Sequence, residues 1–137
     1  MYDWGKYTVL LVEDDEMSYR YMELVLTRRT KINVIWAKKG QEALDFCKKN
    51  ENIDIVLMDL QLPDMNGCDT TIAIKSFKPY LPVIMQTANS WNEEKIKCFD
   101  AGCDGYVTKP INLEILFLQI DNCLKKFTPL KKKRITS

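Results

Sequence analysis

Four short stretches of the 137-residue sequence carry side chains that can act together on a phosphoryl group. Glu13-Asp14 lies in "LLVEDDE", Asp59 closes "DIVLMD", Thr87-Ala88 ends "PVIMQTA", and Lys109-Pro110 follows "GYVT". Carboxylates gathered within a few ångströms repel one another and raise at least one pKa unless a cation sits among them. An oxygen-only cluster of Glu13, Asp14 and Asp59 suits Mg2+ (or Mn2+), which takes carboxylates, waters and phosphate oxygens. Beside such an ion Asp59 is a nucleophile of the kind that forms aspartyl-phosphates. Transfer spreads charge over the equatorial oxygens of the moving group. The ion can take one, Lys109 a second, and the Thr87 hydroxyl with the Ala88 backbone N–H a third.

Taken singly, each residue has an ordinary structural explanation. Acids at 13–15 suit a helix N-terminus, Asp59 a turn cap, Thr87 a strand, and Lys109 a solvated surface. Asp15 is assigned to the helix start. Taken together, separate loops that deliver complementary groups to one edge favour a site.

That edge is set by the elements behind it. Runs of strand character fall at 7–12, 31–36, 54–58, 82–87 and 105–108. Stretches of helical character fall at 15–28, 39–50, 66–77, 91–101 and 112–126, with Asn66-Gly67 read as a turn pair. Tyr21, Met22, Val25 and Leu26 share a face in the first helix, and Ala43, Leu44 and Cys47 in the second. In the last, Leu113, Leu116, Phe117, Ile120 and Leu124 form a core stripe that leaves Ile115 and Leu118 outside. Continuous apolar strands alternating with amphipathic helices predict an α/β fold. Its form is a doubly wound five-stranded parallel sheet, (βα)5, in a three-layer sandwich. Loops beyond the carboxyl ends of such strands carry function. The expected division is an N-terminal extension at 1–6, one domain at 7–127, and a basic tail or linker at 128–137.

Bulk composition removes whole classes. With 46% hydrophobic and 28% charged residues and a net charge of +1, nothing in the balance draws the chain to nucleic acid or membrane. No apolar run reaches a membrane span, and "MYDWGKYTV" is not a signal peptide. The absence of histidine excludes Cys/His zinc sites and histidine-based catalysis, and the five cysteines lack CxxC spacing. They read as thiols in a reducing cytosol. The Lys131–Arg134 run reads as a solvated end, and too few residues follow 127 for a helix-turn-helix.

From residue 7 to 127 the motifs stand in the order and spacing of a known family. The chain resembles the receiver (response regulator) domain of bacterial two-component signalling, and its opening and "LMDLQLPDMNG" are most similar to receivers of hybrid histidine kinases. The resemblance implies a flavodoxin-like sheet, Asp59 as phosphoacceptor, Glu13 and Asp14 as the acidic pair, and the Gln61 backbone carbonyl as a further metal ligand. It implies Thr87 and Tyr106 as switch residues, Lys109 as the family's lysine, and a cis Lys109-Pro110 bond. Glu13 stands where the family more often has Asp. Gln61 and Asn89 fall at positions that tune hydrolysis. A histidine kinase or histidine phosphotransfer protein would donate to Asp59. The surface of the fourth helix, fifth strand and fifth helix would then change, offering a contact for an effector or a second copy. Ile115, Leu118 and Trp91 are candidates for that contact. A cytoplasmic signalling domain that catalyses only its own phosphoryl transfer and loss is the expected result.

Two other classes fit less well. A phosphatase of haloacid-dehalogenase type needs a second Asp two residues after its nucleophile, where this chain has Gln61, whose amide does not transfer protons. A flavodoxin-type module needs a phosphate cradle after the first strand, where "VEDDE" repels anions.

Overall fold

Alternate residues of each predicted strand run prove to face opposite layers of one sheet. The computed structural model describes residues 2–50, 52–88 and 91–136, with side chains to residue 127. Its strands are β1 (Thr8–Val12), β2 (Asn33–Ala37), β3 (Ile55–Asp59), β4 (Val83–Thr87) and β5 (Gly105–Thr108). The helices between and after them are α1 (Glu16–Arg29), α2 (Gly40–Lys49), α3 (Gly67–Phe77), α4 (Asn92–Asp100) and α5 (Leu113–Thr136). All strand pairs are parallel, in the order β2-β1-β3-β4-β5.

Val9, Leu11, Ile55, Leu57, Ile84 and Val107 pack with residues of α1 and α5 on one face. Leu10, Val12, Val56, Met58, Val83 and Met85 pack with residues of α2, α3 and α4 on the other. Burial on both faces explains why β3 and β4 are apolar throughout rather than alternating. The order of connection reverses between β1 and β3, and there a crevice opens at the carboxyl ends of the strands.

Helix ends explain several polar residues. Asp15 is the N-cap of α1, and its carboxylate accepts from the Ser18 backbone N–H at 2.9 Å and the Ser18 hydroxyl at 2.7 Å. Asp64 accepts from the Gly40 and Gln41 backbone N–H groups at the start of α2. At the end of α4, Gly102 turns the chain at φ +105°, a left-handed conformation suited to glycine.

Four expectations change. Tyr21 is exposed, and Tyr19 takes the buried position on α1 because its ring stacks on Trp36 at 3.9 Å between centroids. Asn66-Gly67 is a helix start rather than a free turn: Asn66 caps α3 through the Asp69 backbone N–H. A Cβ at Gly67 would lie 2.5 Å from the Asp59 carbonyl oxygen, so close backbone approach requires glycine there. The residues before Tyr7 do not stand apart, since Trp4 is buried in the core and its indole donates to Asp121 on α5. Finally, α5 continues through Pro129 to Thr136, beyond the expected end at 126. The Lys131–Arg134 side chains lie outside the described ones.

No helix among the described residues is long and apolar enough to cross a membrane. All five cysteines are free; four are buried, and Cys68 and Cys98 approach to 3.6 Å between sulfurs.

Candidate functional site

Each strand next to the crevice delivers its polar residue at the point where the core stops. β1 ends at Val12, so Glu13 and Asp14 emerge at the rim, and α1 starts immediately after Asp15. Glu13 is fixed by its backbone: its N–H donates to the Ala37 carbonyl at 3.0 Å, and its carbonyl accepts the Trp36 indole N–H at 2.7 Å. Asp59 is the last residue of β3, only 9% exposed. Its Oδ1 accepts from the Gln61 backbone N–H at 3.2 Å. Thr87 closes β4 and is 4% exposed. Lys109 follows β5, with its N–H on the Thr87 carbonyl at 2.7 Å and a cis peptide bond to Pro110.

These ends meet in a cleft of about 390 Å³. Glu13, Asp14, Asp59, Gln61, Thr87, Ala88 and Lys109, every residue expected there except the switch tyrosine, line it. The three acids each offer an oxygen, and these oxygens lie within 4.8 Å of one another. Lys109 Nζ stands 3.4 Å from Glu13 Oε1 and 3.9 Å from Asp59 Oδ2.

The electrostatics follow from this crowding. Burial, with the Asp59 carboxyl beside it, pushes the Glu13 carboxyl up to about 7, and Lys109 only partly offsets the rise. All donors are hard oxygens, two of the three acids reach solvent, and Lys109 approaches Glu13 and Asp59. A small hard divalent ion such as Mg2+ fits this donor set, with Glu13, Asp14 and Asp59 as its holders.

Tyr106 lies outside the cleft, half-buried on β5. Burial and the nearby Glu94 carboxylate push its phenol up to about 12. The backbone of Tyr106 is clamped by one side chain: its N–H donates to Gln119 Oε1 at 3.1 Å, and its carbonyl accepts from Gln119 Nε2 at 3.3 Å. Asn89 lies outside the described residues. Trp91, the N-cap residue of α4, is 72% exposed.

Sequence reasoning missed Ser18, Leu62 and Pro63 in the cleft wall and Glu94 behind Thr87. Ser18 was reachable, because an N-cap Asp three residues earlier points it toward the site. Glu94 was not, because only the start of α4 decides which face carries it.

A five-stranded parallel sheet in this order, with acids, a hydroxyl and a lysine at its carboxyl edge, defines the receiver class. Residues 9–121 match the family model of the response regulator receiver domain, and the chain belongs to that family. It is 38% identical over 118 residues to a cyclic di-GMP phosphodiesterase of Thermotoga maritima, covering 86% of this chain and 31% of that protein. It is 30% identical over 118 residues to a chemotaxis protein CheY homolog of Campylobacter jejuni, covering 85% of this chain and 91% of that one. Among solved structures it resembles the receiver domain of Saccharomyces cerevisiae Ssk1 in complex with the histidine phosphotransfer protein Ypd1. That match has a TM-score of 0.75 and 30% identity, covering 82% of this chain and 85% of the other. The chain thus spans under a third of the phosphodiesterase, and the activity of such a longer protein is not carried by this segment's likeness.

Proposed function

We propose that this receiver accepts a phosphoryl group from a phosphohistidine onto Asp59. The observation that carries the reading is the buried Asp59 carboxylate at the floor of an open, acid-lined cleft, with Lys109 3.9 Å away. In the step, a carboxylate oxygen of Asp59 forms the new P–O bond. The P–N bond to the donor imidazole breaks, and its electron pair stays on the imidazole nitrogen, which then takes a proton. A divalent cation held by Glu13, Asp14 and Asp59, with the Gln61 carbonyl as a further ligand, would supply charge neutralisation for an incoming phosphoryl oxygen. Lys109 offers a second positive partner, and Thr87 with the Ala88 N–H a third donor set. The acyl phosphate then favours one of two packings of the Thr87–Tyr106 region, a population shift rather than a push.

The donor is a histidine kinase or histidine phosphotransfer protein, supported by the likeness to a receiver seen bound to one. The exposed Ile115 and Leu118 on α5 and Ile96 and Phe99 on α4 make the α4–β5–α5 face the candidate output surface, for an effector or a second copy. Spontaneous loss of the phosphoryl group to water is the only other reaction assigned to the chain. A cytoplasmic setting goes with these partners.

The test is incorporation of phosphate from acetyl phosphate with Mg2+, read by intact mass. Wild type gains one phosphoryl group, and Asp59→Asn gains none. Equal labelling of the variant would move the acceptor elsewhere and end the proposal.

A further inference from the structure

The fourth helix places one acid against both switch residues. Glu94 is half-buried on α4, seven residues after Thr87, and its chain neighbours Glu93 and Lys95 are exposed. The Thr87 hydroxyl donates to Glu94 Oε1 at 2.9 Å, and the Tyr106 hydroxyl lies 3.4 Å from the same oxygen. A threonine hydroxyl has one proton, and a tyrosine hydroxyl has one. In the reading proposed above, the Thr87 proton must go to a phosphoryl oxygen. In the unphosphorylated chain it already has a charged acceptor. The two acceptors compete for a single donor.

From this we infer that Glu94 is a positioning residue that latches the unphosphorylated state. Its carboxylate holds the Thr87 hydroxyl away from the cleft and ties the Tyr106 phenol to the same oxygen. When the phosphoryl group takes the Thr87 proton, Glu94 loses that donor, and the hold on Tyr106 weakens with it. The Tyr106 main chain does not have to move, because Gln119 grips its N–H and its carbonyl from α5. Rotation of the ring is the motion left to the residue. Coupling between Thr87 and Tyr106 therefore runs through a carboxylate on α4, a helix whose one buried residue is Cys98. A charged acceptor suits this task better than a neutral one, since hydrogen bonds to ionised groups are the stronger kind.

This inference rests on Asp59 phosphorylation only for its second half, and the experiment separates the two. The full chain carrying 3-fluorotyrosine is followed by fluorine NMR, with the Tyr106 signal assigned by Tyr106→Phe. Spectra are taken first without any phosphodonor, then with acetyl phosphate and Mg2+, with phosphoryl incorporation measured in parallel by mass. Glu94→Ala is expected to move the Tyr106 signal before any donor is added. At sub-saturating acetyl phosphate it should raise the phosphorylated fraction several-fold, up to roughly ten-fold, the scale of one net hydrogen bond. Glu94→Gln keeps an acceptor oxygen without the charge and should fall between alanine and wild type in both readouts. That graded order is not expected of a residue that only supports the helix. A donor-free Tyr106 signal in Glu94→Ala that coincides with wild type would overturn the latch. If no chain takes up phosphate, the phosphoacceptor reading fails while the donor-free spectra still decide the role of Glu94. Should Glu94→Ala not fold, the direction of the Glu94→Gln shift against wild type decides it.

Discussion

The β3 strand, whose last residue lines the cleft, and the α4 helix, which reaches the site through Glu94 on Thr87, are built to opposite specifications. Every residue of β3 is buried, from Ile55 to Asp59, between two core layers. On α4 only Cys98 is buried, while Trp91 before it and Ile96 and Phe99 along it are exposed. The carboxylate that must be placed to a fraction of an ångström stands on a strand buried at every position. The switch residues Thr87 and Tyr106 stand on β4 and β5, and Glu94, the acid that meets both their hydroxyls, stands on the sparsely covered helix. Chemistry needs preorganisation, whereas a switch needs two packings close in free energy. The contrast implies that damage to the floor removes the fold or the reaction, and damage to the wall alters only the response.

The sharpest break in that contrast would come at Asp59. Asp59→Asn should lose all measurable phosphoryl incorporation by mass spectrometry while leaving urea unfolding close to wild type, because the isostere still fits the strand end. Next in size is the floor itself. Leu57 is fully buried in β3, and Leu57→Ala should cost about 2–5 kcal/mol in urea denaturation through the cavity it leaves. Gly67→Ala should cost about 1–3 kcal/mol by the same measurement, since the added carbon meets backbone at Asp59 and Leu60 rather than a yielding side chain.

A pH series comes after these. The Glu13 carboxyl, raised to about 7, holds its proton more tightly in the folded chain than in the unfolded one. Its contribution to stability is therefore complete below the ordinary carboxyl range near pH 4.5 and is lost as pH rises through about 7. Melting temperature in EDTA should carry this falling component between those values. Added Mg2+ should reverse it, because the ion binds the ionised carboxylates, and its stabilisation should grow as pH rises. A Mg2+ effect that is equal at pH 5 and pH 8 would remove Glu13 from the metal site. Smallest of all, Ile96→Ala on the exposed face of α4 should stay within about 0.5 kcal/mol of wild type.

Strand and helix periods in the sequence carried the sheet, its parallel connections and the rim residues, because each strand end is marked where an apolar run meets a polar residue. Glu13, Asp14, Asp59, Thr87 and Lys109 could be read in this way and do meet in one cleft. What escaped depends on partners distant in the chain. Tyr19 and Tyr21 both fit a helical face, and only the stacking of Tyr19 on Trp36 of β2 decides between them. Trp4 looks like a loose end until α5 supplies Asp121 and Phe117 beside it. Asn66-Gly67 carries the same residues as a hairpin turn, and its meaning changes only because α3 passes against the Asp59 carbonyl. Glu94 belongs to the same group: a surface acid on a weakly amphipathic helix until Thr87 is seen beneath it.

The indole of Trp36 has a consequence of its own. Among the described residues β2 is the edge strand on its side of the sheet, and Trp36 reaches from that border to grip the Glu13 carbonyl. Fraying at a sheet's margin is the cheapest distortion available to it, and here such fraying would tug directly on an acid of the cleft. The molecule's outer seam and the chemistry of its cleft are thereby stitched at one residue, through the Trp36 indole and the Ala37 carbonyl.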